Sequence, residues 1–281
     1  MLLFKVKLRK MKKVVLITGA SAGMGKETAR LLAQNGYEVY GAARRLEKME
    51  DLKVFGVKPI ALDVTKDETI TACVKQILEE TGGRIDILVN SAGFGSHGAI
   101  EDVPMKDAKH QLEVNVFGAM RLTQLVLPYM RRNKFGKIVN ISSVGGKLAG
   151  PLAGWYHASK FALEGLSDSL RNEVKPFGID VIVIQPGAIK SEWSNIAYDN
   201  LMETSGNGAY RDMVSKFANM IKNSDDKSSD PIIIAELIKK AIESKSPKAR
   251  YAKGYLAKPI LFVKKITSDK LMDKILASQI K

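Results

Sequence analysis

Ile138-Val-Asn-Ile-Ser-Ser-Val-Gly-Gly-Lys-Leu-Ala-Gly-Pro-Leu-Ala-Gly-Trp-Tyr156-His-Ala-Ser-Lys160 reads as a strand, a loop and the start of a helix. Ile138 to Ile141 make a β-branched apolar run, the pattern of a buried strand, which stops at the hydroxyl pair Ser142 and Ser143. A Gly/Pro-rich loop follows, and a helix begins near Trp155. On it Tyr156 and Lys160 stand one turn apart on a shared face. A phenol has an ordinary pKa of about 10, and a neighbouring cation favours the phenolate. A Tyr so placed can give a proton to a carbonyl oxygen or take one from an alcohol. By itself Tyr-x-x-x-Lys fits many plain helix starts with a core Tyr and an exposed Lys, so its neighbours decide.

Working outward, the same strand-then-helix unit repeats. Val14 to Thr18 is a short apolar run broken at Gly19, and a helix pattern runs from about Gly23 to Gln34. Further strands are read at 38–43, 57–62, 85–89, 137–142 and 180–184, with helices at 67–81, 105–132 and 155–175. Strands alternating with helices of this length make βαβ units with a parallel sheet, and right-handed crossovers place helices on both faces. The expected fold is α/β, a doubly wound, mainly parallel sheet of Rossmann type, as a single domain over 11–281.

After Pro186 and Gly187 the alternation lapses. Residues 188–230 carry Trp193, Tyr198, Met202, Tyr210, Met213, Phe217 and Met220. A long excursion beyond a C-terminal strand edge lies where ligands bind in open α/β sheets, so a pliable apolar lid is expected, the plainer reading being a surface helix pair with its own small core. A helix at 231–244 and a short strand at 249–252 follow. Residues 255–281 form an apolar and basic tail with helical spacing at Leu271, Ile275, Leu276 and Ile280.

The chain has 281 residues and a net charge of +14. Residues 1–13 carry six Lys/Arg and no acid, and 233–281 carry twelve against four acids, which together account for the whole excess. The body is balanced, and without basic runs interleaved with aromatics nucleic-acid binding is not expected. The basic tail can lie on a membrane surface; packing over the cleft or against another subunit is favoured. No run reaches the length of a membrane span. The single cysteine, Cys73, precludes an internal disulfide and fits a reducing cytoplasm. His97, His110 and His157 have no metal-ligand spacing, so no metal is expected. Met11, followed by Lys12-Lys13 and the first strand, looks like a natural start, with 1–10 an extension.

Thr18-Gly-Ala-Ser-Ala-Gly23-Met-Gly25 joins the first strand to the first helix. Glycines there allow a tight turn and close approach of a pyrophosphate, which sits at the positive helix N-terminus. The glycines fall at 19, 23 and 25, which fits neither G-x-x-x-x-G-K-[ST] nor G-x-G-x-x-G. Where an NAD enzyme of this type carries an acid for the ribose hydroxyl, the second strand ends in Ala43, followed by Arg44 and Arg45. Two guanidiniums suit a 2′-phosphate, so NADP(H) is preferred over NAD(H).

Thr18-Gly19-x-x-x-Gly23-x-Gly25, Asn90-Ser-Ala-Gly93, Asn115, Ser143, Tyr156-x-x-x-Lys160 and Pro186-Gly187 resemble the short-chain dehydrogenase/reductase family in order and spacing, over about residues 12–190. The resemblance implies Tyr156 as general acid/base and Ser143 on the substrate oxygen. Lys160 would hold the ribose hydroxyls and lower the Tyr pKa, and Asn115 would position Lys160 through a water in a proton relay. It implies a cofactor site of Thr18, Gly19, Ser21, Gly23, Met24, Gly25, Arg44, Arg45, Asp63, Val64, Asn90, Ala92, Gly93, Tyr156, Lys160, Pro186 and Gly187. Asp63 would meet the adenine, and Pro186-Gly187 would flank the nicotinamide. The substrate side is expected to include Ser143, Tyr156 and Trp193. Ser91 departs from the usual second Asn of that motif but can still bond backbone. The Arg44-Arg45 strand end, Arg250-Tyr251 and the basic tail are similar to the branch of hydroxysteroid dehydrogenases and acyl-dihydroxyacetone-phosphate reductases.

The expected function is therefore an NADP(H)-dependent oxidoreductase that reversibly reduces a carbonyl on a hydrophobic ketone, acyl or sterol-like substrate. The family implies a homodimer or homotetramer built on the long helices 105–132 and 155–175. The alternative, a catalytically silent NADP-binding scaffold on this fold, ought to lack one of Ser143, Tyr156 and Lys160, and none is missing.

Overall fold

In the computed structural model, residues 11–278 are described. The expected start at Met11 concerns residues 1–10, which lie outside them. Seven strands form one parallel sheet in the order β3-β2-β1-β4-β5-β6-β7. They are β1 Val14–Thr18, β2 Glu38–Ala43, β3 Lys58–Ala61, β4 Ile87–Asn90, β5 Gly136–Ile141, β6 Ile179–Pro186 and β7 Arg250–Lys253. The helices between them are α1 Gly23–Gln34, α2 Asp67–Glu80, α3 Met105–Leu112, α4 Gly118–Arg132 and α5 Gly154–Val174. Then come α6 Trp193–Ser205, α7 Arg211–Asp225, α8 Ile232–Glu243, α9 Ala257–Ile266 and α10 Asp269–Ser278.

The period of two along each strand explains why the sheet is wound on both sides. In β1, Val14 and Leu16 enter a core with Ile70, Ile77, Leu122, Val126 and Val174 from α2, α4 and α5. Val15 and Ile17 enter the opposite core with Leu32 of α1 and Ile234 and Ile238 of α8. Both faces of β1 are covered, and all five of its residues are buried, which is why the run is continuously apolar rather than alternating. Cys73 is part of the first core, and burial pushes its thiol up to about 12, so it stays an unreactive thiol.

The predicted strand from Ile85 begins later, at Ile87. Asp86, at its mouth, turns its carboxylate to accept the Val14 N–H at 2.8 Å and the Arg84 guanidinium at 2.6 Å. The helical stretch 105–132 is continuous, but its middle, Glu113–Phe117, widens to a π-helical turn. Such single turns push a side chain out of the regular helical row and mark functional sites; Asn115 is at this one.

The excursion holds two helices, α6 and α7, and its ends are tied: Ser229 N–H donates to Ala188 C=O and Lys190 N–H to Ser229 C=O. Leu201, Val214 and Ala218 form a small separate core with Ala99 and Leu152. The pair thus has its own core, as in the plainer reading, but roots it in the loops beside Tyr156. In the tail α9 packs against β7, and in α10 Met272 is buried, while Leu271 and Ile275 of the apolar spacing are exposed. Ile280 lies outside the described residues. Among them no helix is long and apolar enough to cross a membrane.

Candidate active site

The strand order reverses between β1 and β4, and it is outside the carboxyl ends of the strands at such a switch point that ligands bind in open α/β sheets. Thr18, at the end of β1, accepts from the N–H groups of Ser91 and Ala92 at 3.0 and 2.9 Å, drawing the two loops together. Gly19 has φ of +69°, and a Cβ there would lie 2.9 Å from the Ser91 carbonyl oxygen. At Gly25 a Cβ would strike the Gly19 carbonyl, so helix and turn touch backbone to backbone. The first turn of α1 carries no capping side chain and no acid, leaving its N–H groups to an outside anion.

Arg45 donates to Ser21 Oγ at 3.5 Å and to Glu192 at 3.0 Å, and Lys48 reaches the other Glu192 oxygen at 2.9 Å. Arg44 is exposed. These residues fit a dinucleotide: an uncapped helix start for the pyrophosphate, no acid at Ala43, and three cations around the adenosine end. Asp63 turns its carboxylate to Thr65, accepting from N–H at 3.0 Å and Oγ1 at 2.7 Å. Burial pushes this carboxyl up, but the Thr65 bonds, Arg44 and Lys66 bring it below its ordinary range.

Two expected cofactor residues point elsewhere. Val64 puts its side chain in the core and its carbonyl against Gly118 of α4. Asn90 is 4% exposed, and its amide donates to Asn140 at 2.9 Å and Thr123 at 3.3 Å. It ties β4 to β5 and α4 beneath the crevice. The Trp193 side chain lies outside the described residues.

At the end of β5 the triad of the sequence reading assembles. Ser143 neighbours the Tyr156 phenol and favours its ionised form. Lys160 is 7% exposed, lies 5.8 Å from the Tyr156 ring centroid and donates to the Ile141 carbonyl at 2.9 Å. A Cβ at Gly93 would stand 3.1 Å from Asn115 Oδ1 and 3.6 Å from Lys160 Nζ, so both groups face one spot. The Asn115 amide itself donates to the Phe94 carbonyl and to Ser159 Oγ, each at 3.0 Å, and Ser159 donates to the Tyr156 carbonyl at 2.7 Å. Asn115 therefore holds the 93–94 loop to the turn of α5 that carries Tyr156.

The electrostatics correct one expectation. Burial pushes the Tyr156 phenol above its ordinary 10.0, only partly offset by Ser143. Lys160 is instead itself pulled down to about 8 by burial, because desolvation disfavours both charged forms in this enclosed site. A folded chain that releases the Lys160 proton near about 8 gains stability relative to an unfolded one that keeps it to about 10.5, and the gain accrues as pH rises between the two. Urea unfolding is expected to show wild type gaining on Lys160→Met between pH 7.5 and 9.5; a difference independent of pH would mean that Lys160 is not desolvated.

Residues outside the motifs also shape the site. Ser191 packs over Gly23, and Glu192 joins the adenosine end to the excursion. His97 is buried with its ring 6.1 Å from Tyr156 and 6.0 Å from Phe217, and burial pulls it down to about 4, so it is neutral. A single His without a motif partner gives no signal in the sequence.

The sequence model described as short chain dehydrogenase matches residues 13–201. A 3-ketodihydrosphingosine reductase of Bacteroides thetaiotaomicron is 37% identical over 252 residues, 89% of this chain and 91% of that protein. An NADPH-dependent 3-dehydrocapnine reductase of Ornithobacterium rhinotracheale is 32% identical, over 95% and 96%. A short-chain dehydrogenase from Streptomyces avermitilis superposes with a TM-score of 0.80 at 33% identity, over 96% and 95% of the two chains. With the glycine turn, the switch-point crevice and the Ser-Tyr-Lys cluster in place, these likenesses make the chain a member of the short-chain dehydrogenase/reductase family of oxidoreductases.

Proposed function

We propose that the protein is an NADP(H)-dependent reductase of a hydrophobic ketone. The observation that carries the reading is the Ser143–Tyr156 pair at the end of β5, one turn of helix from Lys160, on the same carboxyl edge of the parallel sheet as the uncapped start of α1. Bound NADP(H) supplies the hydride. Tyr156, kept protonated at neutral pH by its burial, gives its proton to the oxygen of the substrate as the carbonyl is reduced. Ser143 orients that oxygen, and Lys160 and Asn115 form the floor through which the proton is replaced. In the reverse direction the same phenol oxygen receives the proton of the alcohol.

Preference for the phosphorylated cofactor is supported by Ala43 in the acid's place with Arg44, Arg45 and Lys48 around it. A ketone substrate is supported by the two relatives named as reductases of 3-ketodihydrosphingosine and 3-dehydrocapnine. The apolar α6–α7 pair, rooted beside Tyr156, serves as the lid over it. Exposed Phe117 and Phe161 on the long helices support association of identical subunits through that face.

The test is oxidation of NADPH, with NADH in parallel, against long-chain ketones, 3-ketodihydrosphingosine and a ketosteroid. Turnover with NADPH is expected on at least one class. No oxidation by protein that binds NADPH would favour the scaffold instead.

A further inference from the structure

His157 takes no part in the proton chemistry above, yet it is bonded at both ring nitrogens beside Tyr156. Its Nδ1 lies 2.9 Å from the Gly145 carbonyl, and its Nε2 lies 3.1 Å from the Gly150 nitrogen. A carbonyl only accepts and a backbone N–H only donates, so both contacts are satisfied by one form, the neutral imidazole with its proton on Nδ1. Burial pulls the His157 pKa down, which keeps that form in place, although the bond to Gly145 acts the other way. Gly145 also donates its own N–H, from the preceding peptide unit, to Ser143 Oγ at 3.0 Å. A Cβ at residue 145 would stand 2.9 Å from His157 Nδ1 and 3.3 Å from Tyr156 Cε1, so a side chain there would push the imidazole and the phenol away.

Gly145 therefore links the two residues through the peptide units on either side of its Cα: His157 holds its carbonyl, and its N–H occupies a lone pair of the Ser143 hydroxyl. With that lone pair occupied, the hydroxyl keeps one proton to give and one lone pair for other partners. We propose that His157 is a positioning residue that fixes the Ser143 hydroxyl through Gly145, and, by its second bond to Gly150, holds the 145–150 loop as a wall of the substrate site. The proposal rests on the reading of Ser143 and Tyr156 as the catalytic pair.

The test uses the full chain with NADPH and 3-ketodihydrosphingosine. His157→Leu is expected to lower kcat ~10- to 100-fold, the scale of losses from slight misplacement of a reacting group, while NADPH affinity stays within about twofold. His157→Gln, whose amide can donate to Gly145 and accept from Gly150, is expected to recover most of the loss. In a Ser143→Ala background His157→Leu is expected to cost little more, because no hydroxyl remains to orient; a purely structural role would give additive losses. Wild-type kcat in His157→Leu, or additive losses in the double variant, would overturn the proposal. Nitrogen NMR of the unmodified protein is independent of variant folding: an Nδ1–H tautomer is expected, and an Nε2–H tautomer would contradict it. Failure of wild type to turn over the ketone would instead count against the catalytic reading itself.

Discussion

Tyr156→Phe is expected to lower turnover by roughly 10²- to 10⁴-fold, the range of a positioned general acid, with NADPH binding changed by no more than about twofold. The substitution removes one oxygen and keeps the ring. Its contacts with His97 at 6.1 Å and His157 at 5.7 Å between centroids are packing contacts that a phenyl group can repeat. The proposed cofactor cradle rests mainly on other elements, the β1–α1 turn and the end of β2, so binding is expected to survive loss of the phenol. The proton donor disappears while the hydride donor stays bound, so kcat falls without a matching rise in the dissociation constant. Steady-state rates and a fluorescence titration of NADPH check the two halves. A loss below about threefold would place the proton donor elsewhere.

The second large effect concerns cofactor choice. Replacing both Arg44 and Arg45 by Ser is expected to weaken NADPH binding ~100-fold and to leave NADH nearly unchanged, since charge-assisted bonds to a phosphate are worth about 1.5–3 kcal/mol each. The exposed pairs of Glu192 with Arg45 and Lys48, at 3.0 and 2.9 Å, compete with a 2′-phosphate for the same cations. Glu192→Gln is thus expected to strengthen NADPH binding, by at most about fivefold because exposed ion pairs contribute little. Parallel titrations with the two cofactors read both changes. Equal weakening of both by the Arg substitutions would assign the pair to solvent.

The central strands β1, β4, β5 and β6 could be read from the chain because they are buried almost throughout, and a continuous apolar run leaves few alternatives; the edge strands β3 and β7 are partly exposed. The glycine turn could be read because backbone must approach backbone at Gly19 and Gly25. Side-chain direction was less legible. Asn90 lies in the expected motif, but its amide points to Asn140, a partner fifty residues away in sequence and adjacent only through the β4–β5 pairing. Asn115 could be placed on a helix, but not in a π-helical turn, because a one-residue widening has no composition signal. The sign of the Tyr156 shift was read wrongly from its spacing to Lys160. Spacing reports the cation, whereas the desolvation that dominates comes from the whole surrounding fold. His157 was silent for the same reason: both of its bonds go to backbone, which no residue pattern records.

The central claim is that a hydride reaches a carbonyl carbon while Tyr156 protonates the oxygen. NADPH deuterated at the transferring position of C4, consumed with 3-ketodihydrosphingosine and followed by mass spectrometry of the product, tests it most directly. The account predicts one deuterium on the new carbinol carbon for each NADPH consumed. NADPH consumption with no deuterium at that carbon would contradict it.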